Sequence, residues 1–281
     1  MMGADEIIRS VRDLPSLPAV VAELLMTMEQ EEIDTHALAA KITHDQALTA
    51  KTLRLANSSF YGLQSKVTSI AQAISVLGFH SIRTLVTACS VTASFTPRPG
   101  GDFDFGAFWR HATAGAVAAR VLAPHLRVNP DTAFTAGLLH DLGTLVLVTR
   151  FPLDYRHVAT WQRQHDSTTA TAEQALFGTD HAVVGAALAA HWKFPQSIQM
   201  AVAEHHAMPA DDGMAPANLS TVIQAANVLA RALDLGGAEN DQVPPLSLAV
   251  WNAFDLDENT WDGIFGTTEQ LYQDMCQTLS P

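Results

Sequence analysis

The stretch Thr135-Ala-Gly-Leu-Leu-His-Asp-Leu-Gly-Thr-Leu-Val-Leu147 is apolar almost throughout, as a buried helix is, yet it sets His140 and Asp141 side by side in its middle. A carboxylate withdrawn from water is costly unless a partner or a cation offsets the loss of hydration. An imidazole beside that carboxylate is a donor pair suited to zinc, iron or manganese.

The chain has 12 histidines, and several others sit in the same kind of setting. His111 ends Phe108-Trp-Arg-His111, His181 follows Gly178-Thr-Asp180, His191 precedes Trp192, and His205-His206 closes Ala203-Glu-His-His206. Each lies on or beside a segment rich in Ala, Val, Leu or Trp. A buried histidine needs partners for both ring nitrogens, and a metal satisfies one of them. Helices packed about a common axis can aim such residues at one cation. A lone histidine on an apolar helix is ordinarily structural, and His36, His44, His80, His125, His157 and His165 are read that way. Spacing alone does not decide for a metal.

Nearly every periodic segment reads as helix: alanine is abundant, apolar residues recur at intervals of three and four, and no segment alternates for long. Val20, Val21, Leu24, Leu25 and Met28 share one side of a helix over Ala19–Met28. Asp34 or Thr35 and then Asp45 are candidate caps for short helices, the second stopping near Asn57-Ser-Ser-Phe-Tyr-Gly62. Ser69 opens Ile70–Leu77, Gly78 breaks it, and Ile82–Ala93 resumes. Further helices are expected over Phe105–Ala123, from Pro130 or Asp131 through the His140-Asp141 pair, and over Tyr155–Gln164, Thr171–Phe177 and His181–Trp192. Others follow from Pro195 to His205 or His206, over Leu219–Leu233 and from Asp257. Two prolines and two glycines in Thr96-Pro-Arg-Pro-Gly-Gly101 mark the best boundary. The expected architecture is all-α: a helical subdomain over 1–95, a linker over 96–104 and a helical bundle over 105–281.

With 281 residues, 48% of them hydrophobic, the chain can bury a sizeable core. Sixteen Lys and Arg against 29 Asp and Glu give a formal charge of −13, and no cluster of five basic residues occurs, so binding nucleic acid through phosphate neutralisation is disfavoured. Asp34 to Gly62 fits a helix-turn-helix template, but its leucines are better explained as core. Charged and polar residues interrupt each apolar run, so no membrane span is expected. The first residues lack the basic and apolar regions of a secretory signal. Cys89 and Cys276 suggest neither a disulfide framework nor a thiolate site. These features point to a cytoplasmic protein.

Several motifs together resemble the HDOD family, a regulatory branch of the HD and HD-GYP metal-dependent phosphohydrolase superfamily. They are Leu14-Pro-Ser-Leu-Pro18, Leu53-Arg-Leu-Ala-Asn-Ser-Ser-Phe-Tyr-Gly62, Ile70–Gly78, Ala136-Gly-Leu-Leu-His-Asp-Leu-Gly143, Phe177-Gly-Thr-Asp-His181, Trp192-Lys-Phe-Pro195 and His205-His206. They occur in the family's order over nearly the whole chain. The resemblance implies an HD-like carboxyl-terminal bundle in which His111, His140, Asp141, His181, His205 and His206 are metal ligands, with Asp141 the bridging ligand of a two-metal form. In the superfamily's hydrolases the metal activates water and steadies the charge of the phosphate.

Three positions and one missing motif depart from that pattern. Asn227 stands where a final aspartate is expected, and Thr144 follows Gly143 where HD-GYP enzymes carry a lysine. Ala107 lies one turn before His111 in place of an acid, and no Gly-Tyr-Pro follows His205-His206. The expectation is therefore a non-catalytic bacterial signalling protein that keeps a metal-capable pocket (iron, manganese, zinc or nickel) but has lost, or largely lost, the hydrolysis, needs no organic cofactor, and acts by binding a partner protein. The alternative is a phosphohydrolase of a nucleotide or cyclic dinucleotide, with Asp141 and a metal-activated water as its catalytic centre. A sensor that binds such a ligand without cleaving it is a third reading.

Overall fold

The computed structural model describes residues 4–279 except 12, 15–16, 27–33, 64, 96–102, 209–212 and 237–241. Every regular element among the described residues is helical. The first group is α1 (Ala4–Val11), α2 (Ala19–Met26), α3 (Thr35–His44), α4 (Gln46–Ala56), α5 (Ile70–Leu77) and α6 (Phe79–Ser94), with a 3-10 turn at Ser59–Tyr61. After the linker come α7 (Phe105–Leu122), a 3-10 turn at Ala123–Leu126, α8 (Pro130–Leu139), α9 (Leu142–Arg150), α10 (Pro152–His165), α11 (Thr169–Phe177), α12 (His181–His191), α13 (Gln196–Glu204), α14 (Leu219–Ala232), α15 (Leu248–Phe254) and α16 (Glu258–Leu279). Most of the 96–104 linker, and Thr27 and Met28 of the expected second helix, lie outside the described residues.

Short polar side chains start these helices where the sequence places them. Asp34 accepts hydrogen bonds from the amides of His36 and Ala37, Asp45 from that of Leu48, and Ser69 from that of Gln72. Pro130 occupies the first turn of α8, where its missing N–H costs nothing, while the Asn129 side chain accepts from Asp131 and Thr132. Gly78 joins α5 to α6 at φ +83°, a conformation that a Cβ disfavours. Asn57 ends α4 and clasps the following loop, donating to the Leu53 and Val67 carbonyls and accepting from the Val67 amide.

One apolar core runs through the molecule, from Ile7, Leu24, Ile42 and Ile82 to Leu122, Leu145, Leu188 and Ile198. Helix α6 packs against α2, α4 and α5 on one side and α8 on the other, and is buried continuously from Ser81 to Val91. At this junction Phe60 packs on Phe134 at a ring-centroid distance of 5.6 Å, and the Arg120 guanidinium lies over both Phe60 and Tyr61. Arg120 also pairs with Asp131, to which Ser81 of α6 donates. Helix α1, unforeseen in the sequence, packs on α9 and α12, and α16 packs on α7, α4 and the Ser59–Tyr61 turn.

Two expectations need correction. The pair His140-Asp141 does not sit in the middle of one helix: α8 ends at Leu139, and α9 begins at Leu142. Asp141 adopts φ −101° and ψ 7°, a bend that apolar periodicity cannot register because hydrophobic residues continue on both sides. For the same reason, the 21-residue run Pro130–Arg150 does reach the length and apolarity of a membrane span, contrary to expectation. Its most apolar window is 89% buried inside the protein, which identifies it as core.

Candidate metal centre

Six of the sequence-predicted residues converge on one buried chamber. His111 comes from the middle of α7, His140 and Asp141 from the α8–α9 bend, His181 from the first position of α12, and His205 and His206 from just beyond α13. Close packing of α9 on α12 brings the second group in. A Cβ at Gly143 would lie 2.0 Å from the His181 carbonyl oxygen and 2.6 Å from the Gly185 nitrogen, so only glycine permits this approach. His191 is absent from the converging set. The six histidines read as structural are exposed and lie outside the converging set.

Asp141 is the hub. Its Oδ2 lies 3.3 Å from His111 Nε2 and 3.2 Å from His140 Nε2, while its Oδ1 lies 3.2 Å from His181 Nε2 and 3.3 Å from His205 Nε2. His206 Nε2 is 2.7 Å from His181 Nε2. Two donor sets thus share Asp141, one with His111 and His140 and the other with His181, His205 and His206, with the ligand atoms of each set within 4.8 Å of one another.

The backbone sets the ring tautomers. His140 Nδ1 lies 2.6 Å from the Gly137 carbonyl and His205 Nδ1 2.7 Å from the Val202 carbonyl, three residues back in each case. A carbonyl can only accept, so each Nδ1 carries the proton and each neutral ring presents its Nε2 lone pair to Asp141. His181 Nδ1 is 2.6 Å from Glu173 Oε2, a carboxylate with no solvent exposure that also accepts from the Tyr155 hydroxyl and the His181 amide. Imidazole lone pairs facing a carboxylate repel unless a proton or a cation stands between them. Asp141 Oδ1 and His205 Nε2 are both buried without a hydrogen-bond partner, so the donor set fits a divalent cation, and the cluster could hold one.

The electrostatics agree. Burial holds His111 and His205 down to about 4, Asp141 offsetting only part of it, and burial with the neighbouring imidazoles lowers His206 further. Burial alone would raise the Asp141 carboxyl, but the imidazoles crowded around it, His140 first and then His111 and His181, outweigh it and hold the group well below the usual range. Burial would likewise lower His181, yet Glu173 and Asp141 reverse the direction and raise it well above the ordinary histidine value.

Asn227, buried on α14, accepts from Arg231 Nε at 3.3 Å. Arg231 in turn places Nη2 3.9 Å from Asp141 Oδ2. The sequence reading missed both Arg231 and Glu173. Glu173 carries one available signal, a carboxylate among apolar neighbours of a short helix. Arg231 carries the spacing of one turn after Asn227. A cleft of about 630 Å³ reaches the chamber at His205 and His206, with Trp161, Gln174, Gln224 and Val250 among its other walls. No Lys or Arg lines it among the described residues.

Comparison with known proteins agrees with this architecture. A family model for the HDOD domain matches residues 14–208. A solved structure from Shewanella amazonensis SB2B, provisionally named a phosphohydrolase, is 26% identical with a TM-score of 0.72, covering 95% of this chain and 97% of that one. An HDOD domain protein of unknown function from Geobacter sulfurreducens is 21% identical with a TM-score of 0.77 over 98% of both chains, a likeness of fold. A curated protein from Treponema pallidum, itself without a functional name, is 27% identical over 240 residues, 83% of this chain. The chain spans only 45% of that relative's length.

Proposed function

Because the chain belongs to the HDOD family, we propose that it is a regulatory signalling protein that binds a divalent cation at Asp141, turns over no phosphate ester, and acts by docking to a partner protein. The observation that carries the reading is the pairing of a cation-ready chamber with an incomplete acidic set. Imidazole lone pairs surround Asp141, while Asn227 supplies an amide and Arg231 a positive charge where a hydrolase of the superfamily needs another carboxylate. Bound there, the cation offers Lewis-acid character and a fixed local charge. The residues themselves do the positioning. Gly137 and Val202 carbonyls hold two rings with Nε2 turned toward Asp141, and Glu173 orients the third. Iron, manganese, zinc and nickel all suit mixed imidazole and carboxylate donors.

The second reading is a metal-dependent phosphohydrolase of a nucleotide or cyclic dinucleotide. Its support is the cleft that opens on His205 and His206 and the provisional name of the Shewanella relative. Against it, a ligand with two phosphates would meet no basic side chain on the described walls. The test is a panel of phosphomonoesters, nucleotides and cyclic dinucleotides with added Mn(II) or Fe(II). The expected result is no turnover above that of Asp141→Ala; turnover that Asp141→Ala abolishes would establish the hydrolase. In parallel, protein purified without chelator is expected to carry metal, and Asn227→Asp to hold it more tightly.

A further inference from the structure

Resting on the reading of a cation-holding chamber, we propose that a single divalent cation binds on the Oδ1 side of Asp141, held by His181, His205 and His206, and that the Arg231 guanidinium fills the role of a second cation on the Oδ2 side. The two faces of this carboxylate differ in what the protein already supplies.

On the Oδ2 face, Arg231 brings a permanent positive charge to 3.9 Å on a side chain that is only 13% exposed. Asn227 points its carbonyl oxygen at Arg231 Nε, so the one residue aligned with the missing acidic ligand is engaged by the arginine. A dication beside a guanidinium in a poorly hydrated chamber is repelled by it, because little solvent screens the pair. The proton count agrees. His111 Nδ1 has no hydrogen-bond partner, so nothing fixes that ring's proton on Nδ1. Carried on Nε2, it faces both Asp141 Oδ2 and His140 Nε2 at 3.3 Å. This face is satisfied by a proton and a charge that belong to the chain.

The Oδ1 face has the opposite character. Asp141 Oδ1 and His205 Nε2 stand 3.3 Å apart, both buried and both without a hydrogen-bond partner. His205 cannot donate across that gap, because its proton is committed to the Val202 carbonyl. His181 Nε2 and His206 Nε2 converge on the same region, 2.7 Å from one another. A proton shared among these four atoms satisfies at most two of them. A cation satisfies all four at once, with three imidazoles and a carboxylate, a complete set for a four-coordinate ion. His205 and His206 also form part of the cleft wall, so this is the face an ion reaches from solvent.

The test is reconstitution of chelator-stripped full-length protein with Co(II), read by metal analysis after desalting and by the visible ligand-field spectrum, with far-UV circular dichroism as the check on folding. One ion per wild-type chain is expected. His205→Ala and the milder His205→Gln should weaken binding by roughly 10–100-fold or more, while His111→Ala keeps the ion and its spectrum. Combining Arg231→Gln with Asn227→Asp should admit a second ion. Two ions in the wild type, or an ion lost with His111→Ala and kept with His205→Gln, would overturn the assignment of faces and leave the cation-holding chamber standing. No ion in any variant would overturn both.

Discussion

The helices before residue 95 and those after residue 104 obey the same packing rules but bury different chemistry. Among the described residues of the first group the buried polar ones, Arg83 apart, carry hydroxyls: Thr52, Ser58, Ser81, Thr84, Thr87 and Ser90. In the second group five of the six converging ligands are buried, along with Glu173 and Asn227. An apolar core of the first kind tolerates local adjustment, whereas the second depends on every group having its partner. The difference predicts where the molecule is brittle.

The largest expected contrast lies between two glycines. Gly143→Ala drives a Cβ into the backbone of α12 and should cost more than about 4 kcal/mol, seen as loss of the cooperative thermal transition. Gly78→Ala meets open space and carries only the strain of a backbone at φ +83° and ψ 157°, about 1–3 kcal/mol. Equal losses at the two sites would erase the contrast.

Acid should act through the second group. His111 and His205 are held down to about 4 in the folded protein, whereas an unfolded histidine takes its proton near pH 6.5. Between those values the unfolded chain binds more protons, so stability falls as pH drops, by about 3 kcal/mol for each of the two rings. His181 is raised instead, so its contribution is complete throughout this window and is lost only as pH climbs through its folded value. Asp141, held low, loses its contribution only below the ordinary carboxylate range. Urea melts of stripped protein from pH 7 to 4 measure the slope, which should shrink in His205→Ala; an unchanged slope in that variant contradicts the assignment.

Phe60→Ala removes the ring that bridges α8 and Arg120, and should cost about 3 kcal/mol without changing that pH slope or metal content. A change in metal content would mean the two halves are more tightly coupled than their packing implies. The smallest effect is expected from Glu173→Gln, which keeps the shape but takes away the charge behind His181. Cation affinity should fall roughly 10–100-fold with the fold intact, measured by titration calorimetry.

How much of this was legible in the sequence follows from the range of each signal. Asp34, Asp45, Ser69 and Pro130 start helices through contacts two or three residues away, and those starts could be read directly. The order of histidines pointed to a chamber through family resemblance, where spacing alone did not. The bend at His140-Asp141 was hidden by hydrophobic residues on both flanks, and the same continuity concealed the length of the apolar run. Glu173 and Arg231 were missed because their importance lies in contacts across helices, with His181 in the next helix and with Asp141 far back in the chain. The packing of α1 on α9 and α12 is likewise a long-range choice that eight residues with two buried positions cannot announce.

The most direct measurement is an anomalous difference map from crystals grown without chelator, recorded across the absorption edges of the candidate metals. The account predicts one peak at bonding distance, about 2.0–2.2 Å, from both an Asp141 carboxylate oxygen and His205 Nε2. Ordered density for the six converging side chains with no anomalous signal among them, in protein supplied with those metals, would contradict it.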